Sequence, residues 1–267
     1  MPHHGGVRPS RPGGPADRGD GPLRLRALPG VPEVRPGDDL PGLLAGLAAA
    51  DGVVAGDVLV VAHKIVSKAE GRVVALAAVA PDARARALAG LTGKDPGLCA
   101  LILAESRRIV RRRGATLICE THHGFVCANA GIDTSNAPPG CAILLPRDPD
   151  ASARRLQAAV AARVGGRVGV VVTDTHGRAF RRGLVNIAIG VAGIEPVLDR
   201  RGETDREGRV LVATEQALAD ELAAASGLLM PKAGGTPVVV VSGLVARPSP
   251  GGAGALVRAA AHDLFRG

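Results

Sequence analysis

Three short, continuous apolar runs constrain the fold of this chain more than any other feature. They are DVLVVA (57–62), GRVGVVVTDT (166–175) and TPVVVVSGL (236–244). A run of four to six apolar residues bounded by turn-forming or polar residues is typical of a buried strand. Because helix-like segments separate these runs, we predict an α/β fold (mixed α+β) with two lobes, mixed β-sheets and flanking helices.

Several other elements follow from local pattern. Helices are predicted over PDARARALAGL, the stretch into LILAESRRIV, DPDASARRLQAAVAARVGG with Asp150 as its N-cap, and TEQALADELAAASGLLM starting at Thr214. TLICET and GFVCANAGI are predicted to be two strands. They would be joined by a turn at His122 to Gly124, where glycine allows a positive φ.

The domain plan has three parts. Residues 1–22 are Pro, Gly and charge without periodicity, which favours a disordered extension. Residues 23–245 would form the folded domain in two lobes, and 246–267 a Pro/Gly linker with a short amphipathic helix. We find no secretory h-region, no membrane-length apolar run and no C-x-x-C pair, so we expect the cytoplasm and no membrane partner.

A net charge of +8 indicates an anionic partner. Much of it lies in SRRIVRRRG, which could be a solvated helix face or could meet an acidic metabolite or nucleic acid. The chain has no Trp, no Tyr and only three Phe, which nearly excludes the stacking platforms that hold single-stranded nucleic acid. An acidic small molecule is therefore favoured over nucleic acid.

The stretch THHGFVCANAGIDTSN (121–136) concentrates candidate site residues. A zinc site from His122, His123 and Cys127 is disfavoured, because adjacent histidines on a strand point to opposite faces. Cys119 and Cys127 are expected to be apolar core residues. Asp133 is a better candidate, because it follows an apolar strand and is surrounded by small hydroxyl and amide groups.

A second apolar strand ends in the same way, with Asp174 and Thr175 just past its last valine. Two strand-end carboxylates beside oxygen donors and the arginines of GRAFRRG suggest a hard cation next to an anion, with Mg²⁺ or Mn²⁺ carrying a phosphate as the simplest occupant. Each Asp could instead only cap a turn.

Two basic segments are weaker candidates. HKIVSK offers Lys64, Ser67 and Lys68 to a phosphate, but no P-loop motif is present. LDRRGETDREGRVL, with Asp199, Arg201, Asp205 and Arg209, could line the site or be a solvated loop.

Six stretches of the chain occur in this order: VPEVRPGDDL, GDVLVVAHKIVSKAEGRVV, THHGFVCANAGIDTSN, LLPRDPDASARRL, VVVTDTHGRAFRRGLVNIAIGVAGIEPVLDRRGETDREGR and ATEQALADELAAASGLL. Taken together, they resemble the coenzyme F-420 gamma-glutamyl ligases over residues 27–245. The resemblance implies a ligase that uses GTP and Mg²⁺ or Mn²⁺. Such a ligase joins L-glutamate to the phospholactyl end of the glutamate-free deazaflavin coenzyme precursor and then extends the gamma-linked tail. It also implies a homodimer. Since the chain ends at HDLFRG, we expect it to be the single-domain form without the nitroreductase-like domain of some members.

Carried over residue by residue, the resemblance implies two sets of ligands. The metal ligands fall on Asp133, Asp174 and Thr175, and the nucleotide contacts on Val31, Pro32, Glu33, Val34, His63, Lys68 and Asn136. Arg178 and Arg181 are candidate substrate contacts, and no catalytic acid or base is assigned. His63 stands where relatives are expected to have Gln or Ser, and Pro231 where they usually have Gly.

One different class of function fits the same residues. A divalent-metal-dependent phosphohydrolase acting on an acidic metabolite would also need two strand-end aspartates and nearby basic side chains. The two differ in whether phosphate release requires an amine acceptor.

Overall fold

The computed structural model describes residues 21–263. Its helices and strands are, in chain order, β1 Arg24–Ala27, α1 Leu40–Ala50, β2 Val58–Ala62, α2 His63–Ala69, β3 Val73–Ala75, α3 Ala83–Thr92, α4 Pro96–Ala104, β4 Ser106–Arg113, β5 Thr116–Thr121, β6 Val126–Ala128, β7 Cys141–Ile143, α5 Pro149–Val164, β8 Gly169–Gly177, β9 Leu184–Ala192, β10 Leu198–Asp199, β11 Glu215–Gln216, α6 Leu218–Ser226 and β12 Val238–Ser242. Short 3-10 turns lie between several of them.

The main sheet has five strands in the order β1-β12-β2-β8-β9. Strands β2 and β8 are parallel, and the other three pairings are antiparallel. The three valine-rich runs form the three central strands, and Val58, Val171 and Val240 are completely buried, as expected for strands covered on both faces. The predicted α/β fold with mixed sheets is confirmed.

Helix α5 packs against β8, β9 and α1, and α6 packs against β9. The start of α5 lies so close to β9 that a Cβ atom at Gly190 would overlap the carbonyl oxygen of Pro149. The N-cap of α5 is Asp148, whose side chain accepts from the Ala151 N–H. The prediction of Asp150 as N-cap is wrong by two residues, because that carboxylate accepts from two backbone N–H groups outside the helix.

A second lobe is built from α3, α4, the three-stranded sheet β4-β5-β6 and the β3-β7 pair. It has its own hydrophobic cluster, separate from that of the main sheet, with Cys99, Ile102, Leu117 and Cys119 at its centre. This arrangement confirms the two-lobed architecture.

Three local predictions are wrong. SRRIVRRR forms β4 instead of continuing a helix, because α4 ends at Ala104 and the arginines then pair along β5. Helix α6 starts at Leu218, since Glu215 and Gln216 before it pair with β10. At the C-terminal end, two 3-10 turns, Ala253–Leu256 and Ala260–His262, replace the predicted amphipathic helix.

The turn at 122–124 is confirmed, with Gly124 at φ +92°. The predicted extension at residues 1–22 falls almost entirely outside the described residues. Between residues 21 and 263, no single helix is long and apolar enough to cross a membrane; α3 and α4 would meet that length and composition only as a pair bent by 114°.

Candidate functional site

A cleft of about 880 Å³ lies where the two lobes meet. The main sheet contributes the ends of β2, β8 and β9, and helix α2 contributes its histidine and two lysines. The second lobe contributes Asp133 and residues 136–138, and the segments 31–36 and 230–237 supply most of the remaining wall. Its volume is in the range of pockets that bind whole nucleotides or cofactors. The cleft brings together every residue for which the sequence predicted a nucleotide or metal contact.

Asp174 lies within β8, which continues two residues further than the predicted run. A β-bulge directly before it, between Val172 and Thr173, shifts the register with β9, and bulges of this kind re-aim side chains beside functional sites. The nearly buried carboxylate lies between two imidazoles, with Oδ1 3.2 Å from His63 Nε2 and Oδ2 3.5 Å from His176 Nδ1. Burial opposes its charge, but the two histidines and the Thr175 N–H outweigh burial, so the pKa of Asp174 is lowered.

Asp133 is held differently, by a backbone bridge to Ile143 after a left-handed turn. Asn129, Ala130 and Gly131 all have positive φ, which is a strained conformation for alanine. The carboxylate accepts from Lys64 Nζ at 2.6 Å and from the Ser135 N–H and hydroxyl at 2.7 and 2.8 Å. Partial burial alone would raise the pKa of Asp133. The hydrogen bonds from Lys64 and Ser135 outweigh burial, so the pKa is lowered to about 2.

The predicted nucleotide contacts line the same cleft. Lys68 reaches Glu33 at 2.5 Å, so this lysine already has an anionic partner in the segment 31–36. Asn136 adopts a positive φ and its amide lies 3.4 Å from the Lys232 carbonyl oxygen. His63 is almost fully buried, and its imidazole is directed at Asp174 and at the Ser67 hydroxyl. The His63 side chain is therefore engaged with Asp174 and Ser67, and a ligand in the cleft would contact it only secondarily.

A hard cation needs oxygen donors, and the cleft supplies a small set of them. Among residues 21–263, no group of three or more His, Cys, Asp or Glu side chains is arranged so that these residues alone could hold a metal ion. Mg²⁺, however, is typically held by one or two carboxylates and completes its shell with water and substrate phosphate oxygens. Two ionised carboxylates and the Thr175 hydroxyl, which donates to Asn186 Oδ1 at 2.9 Å and keeps lone pairs to accept, fit that chemistry.

Several candidates do not lie in the cleft. Arg178 and Arg181 are exposed in the loop between β8 and β9, where Arg178 donates to the Arg182 carbonyl. In the 198–211 loop, Asp199 binds Arg201 and Asp205 accepts from backbone N–H groups of its own turn. That loop does not line the cleft, and the substrate role of the two arginines stays a prediction.

The two histidines and the cysteine of the opening stretch have structural partners. His122 and His123 lie near the carbonyl oxygens of Ala104 and Arg147, at 2.9 and 3.0 Å. Cys119 and Cys127 are buried opposite each other on β5 and β6, both as free thiols. The prediction that these cysteines are core residues is confirmed. The basic run is also accounted for in part, because Arg107 and Arg108 flank Glu120.

Sequence reasoning missed two members of the site. Asn186 comes from β9, which was not predicted as a strand, and only its pairing with Thr175 reveals it. His176 stands two residues after Asp174, and alternation along β8 would have placed both on one face of the strand. That signal was present in TDTH and was not used.

The fold and the cleft define a two-lobed α/β protein whose site combines ionised carboxylates with lysines, a combination suited to an anionic ligand carried by a divalent cation. The family model "F420-0:Gamma-glutamyl ligase" matches residues 30–243, and the chain belongs to this family. The resemblance drawn from the sequence motifs is thereby confirmed.

Individual relatives agree. The chain is 47% identical to the coenzyme F420:L-glutamate ligase of Methanopyrus kandleri over 249 residues, which is 91% of this chain and 98% of that protein. It is 44% identical to the enzyme of the same name from Methanothermobacter thermautotrophicus, over 92% of this chain and 99% of the relative. A third relative, from Methanocaldococcus jannaschii, is 44% identical over 79% of this chain and 85% of its own length.

Proposed function

We propose that the chain is a GTP-dependent ligase that adds L-glutamate to the phospholactyl end of the glutamate-free F420 precursor and then extends the gamma-linked tail. The observation that carries this proposal is the inter-lobe cleft, in which Asp133, Asp174, Lys64 and Lys68 lie together. Family membership and relatives named coenzyme F420:L-glutamate ligase support the same chemistry.

The chemical task is to activate a carboxylate, which is a poor electrophile. Transfer of the γ-phosphoryl group of GTP to a precursor carboxylate oxygen would form an acyl phosphate and release GDP. The amine of L-glutamate then attacks the acyl carbon, the C–O bond to phosphate breaks, and the amine loses a proton. The products are an amide and inorganic phosphate.

The cleft residues have distinct proposed parts in this reaction. Lys64 and Lys68 each place an ammonium group where it can offset phosphoryl charge, once it exchanges Asp133 or Glu33 for the ligand. Mg²⁺ or Mn²⁺ held by Asp133, Asp174 and Thr175 would further neutralise the phosphate oxygens when bound. The segment 31–36, of which Val31 to Val34 are the proposed nucleotide contacts, would close over the nucleotide and exclude water from the acyl phosphate.

The proposal extends to assembly and compartment. We expect a homodimer, as the resemblance to this family implies, and Phe180, Val212 and Leu228 are apolar side chains, more than four-fifths exposed, that a partner could cover. Phe180→Asp should shift the molar mass measured by light scattering towards the monomer. A reducing cytoplasm is the compartment expected from the sequence, which has no C-x-x-C pair, and the four free cysteines are compatible with it.

The test is GDP release from GTP with Mn²⁺, measured with and without L-glutamate and the glutamate-free precursor. Wild type should turn over only with both acceptors, and Asp133→Asn should abolish most of that turnover. Asp199→Asn is the matched control. Asp199 is paired with Arg201 as Asp133 is paired with Lys64, but it lies outside the cleft.

Acceptor-independent phosphate release that survives in Asp133→Asn would overturn both the ligase and the metal assignment. It would favour the phosphohydrolase instead.

A further inference from the structure

A second, smaller pocket of about 210 Å³ lies near the inter-lobe cleft but shares no lining residue with it. Its polar wall residues are His176, Asp220 and Arg258, and its apolar wall includes Phe125, Leu256 and Val257. His176 connects the two sites, because its Nδ1 lies 3.5 Å from the Asp174 carboxylate that lines the cleft. The volume is below that of pockets for drug-sized ligands and suits a small metabolite.

Among the described residues, two of these polar groups, His176 and Asp220, lack a full set of hydrogen-bond partners, and Arg258 is exposed at the pocket wall. His176 is 93% buried, at 7% exposure, and neither ring nitrogen has a hydrogen-bond partner among the described residues. Asp220 accepts one hydrogen bond, from the Ala188 N–H at 2.9 Å, and forms no ion pair with Lys or Arg within residues 21–263. Burial raises the pKa of Asp220, and the Ala188 N–H and the neighbouring His176 oppose this rise only in part.

The charges in the pocket select the class of ligand. A simple anion would be attracted by the Arg258 guanidinium but repelled by the Asp220 carboxylate. A simple cation would be attracted by Asp220 but repelled by Arg258. A molecule with an ammonium and a carboxylate group satisfies both, and the apolar wall accommodates the methylenes between or beside them.

We propose that this pocket binds an α-amino acid, with its amine at Asp220 and His176 and its carboxylate at Arg258. The inference rests on the proposed function in one respect, namely that L-glutamate is the amino acid. The amine end of such a ligand would lie nearest to Asp174, on the side of the pocket that faces the cleft where the acceptor carboxylate is activated.

The first measurement is calorimetric binding of L-glutamate to the full chain, without GTP. Arg258→Gln and Asp220→Asn should each weaken binding ten-fold or more. Asparagine at 220 can still accept from the Ala188 N–H, so the fold contact is kept. Arg113→Gln, an exposed arginine on β4, is the matched control and should bind as wild type does.

Two analogues separate the two ends of the ligand. Glutarate lacks the amine, and 4-aminobutyrate lacks the α-carboxylate. Arg258→Gln should weaken binding of L-glutamate but leave the already weak binding of 4-aminobutyrate unchanged, because the contact it removes is absent from that ligand. Asp220→Asn should weaken binding of L-glutamate but leave the binding of glutarate unchanged, because glutarate lacks the amine that Asp220 would contact.

Turnover distinguishes this inference from the proposed function. If the pocket is correct, the variants raise KM for L-glutamate ten-fold or more and leave KM for GTP unchanged. Wild-type turnover with unaltered KM for L-glutamate in both variants would overturn the pocket and leave the ligase intact. Absence of ligase turnover in wild type would overturn the proposed function, whereas the calorimetric result would still decide whether an amino acid binds here. Failure of wild type to bind any of the three compounds overturns the inference.

Discussion

Asp174 and Asp133 line the same cleft, but the two lobes hold them in different ways. On the sheet side of the cleft (His63, Asp174 and His176), the carboxylate is 13% exposed and lies between two buried rings. On the turn side (Lys64, Asp133 and Ser135), it is 34% exposed and is held by a lysine and its own short loop.

The difference concerns how easily each carboxylate can change partners. Lys64 has a flexible four-carbon stem, so its ammonium can leave Asp133 for a phosphate at little cost. His63 and His176 are packed into the core, so Asp174 has a fixed orientation whether or not a ligand is present. The sheet side therefore acts as a rigid reference, and the turn side as the place where a cation and a phosphate can be exchanged.

The largest expected effect is on the sheet side. His63→Leu removes the imidazole whose Nε2 lies 3.2 Å from the nearly buried, ionised Asp174 carboxylate, and we expect a loss of about 2–3 kcal/mol in the free energy of unfolding. Urea denaturation of the metal-free protein measures this. The control is His262→Leu at an exposed position, which should stay within about 0.5 kcal/mol of wild type. Equal losses in the two variants would contradict the rigid role of the sheet side.

A smaller loss of stability is expected on the turn side. Lys64→Met should cost about 1 kcal/mol or less, because Asp133 remains partly open to water. The same variant should bind Mn²⁺ more tightly, by roughly ten-fold, since an ammonium group 2.6 Å from Oδ2 competes with a divalent cation for Asp133. Electron paramagnetic resonance of free Mn²⁺ measures the affinity.

Lys94→Met, outside the cleft, is the control for both measurements. Weaker Mn²⁺ binding in Lys64→Met would show that Lys64 supports the cation site instead of competing for it, and the proposed contrast between the two sides would fail.

The acid limb of the stability curve offers a third comparison. The pKa of Asp133 is about 2 in the folded chain, below its value of about 3.9 in an unfolded one. Its stabilising contribution is therefore fully present above about pH 4 and is lost as the pH falls towards 2. Asp133→Asn lacks this contribution, so its difference in unfolding free energy from wild type should shrink over that window. A difference that is independent of pH would contradict the assigned cause.

Much of the fold could be predicted because burial leaves a direct trace in sequence. The three central strands are continuous apolar runs, and Asp174 stands where one of them meets polar residues. Asp133 was predicted at the end of a further strand, but that strand stops at Ala128 and a left-handed turn separates the two. The strand β4 could not be predicted in this way, because its arginines face solvent and only pairing with β5 makes SRRIVRRR a strand. Asp150 was misassigned because its backbone partners come from β9 and from residue 253, far along the chain.

The site was predictable in its membership but not in its connections. Family motifs placed His63 among the nucleotide contacts, whereas the fold directs its imidazole to Asp174. Lys64 was noted as a basic residue, but its bond to Asp133 joins residues 69 positions apart, which no local pattern reveals. Pairings of this kind depend on how the two lobes meet, and that is a property of packing.

The smallest expected effect uses a thiol as a probe of the sheet side. Burial, the negative charge of Asp174 and the neighbouring Cys119 raise the pKa of Cys127 to about 12. Because the thiolate is the reactive form, Cys127 should resist alkylation by iodoacetamide at pH 8 while the half-buried Cys141 reacts first. Asp174→Asn removes one of the three causes, so alkylation of Cys127, followed residue by residue by mass spectrometry, should become a few-fold faster, with Cys141 unchanged. Since burial is the largest cause, the thiol should stay slow in the variant. Equal rates at Cys127 and Cys141 in wild type would instead mean that the sheet side opens to solvent, and Asp174 would then have no more rigid a setting than Asp133.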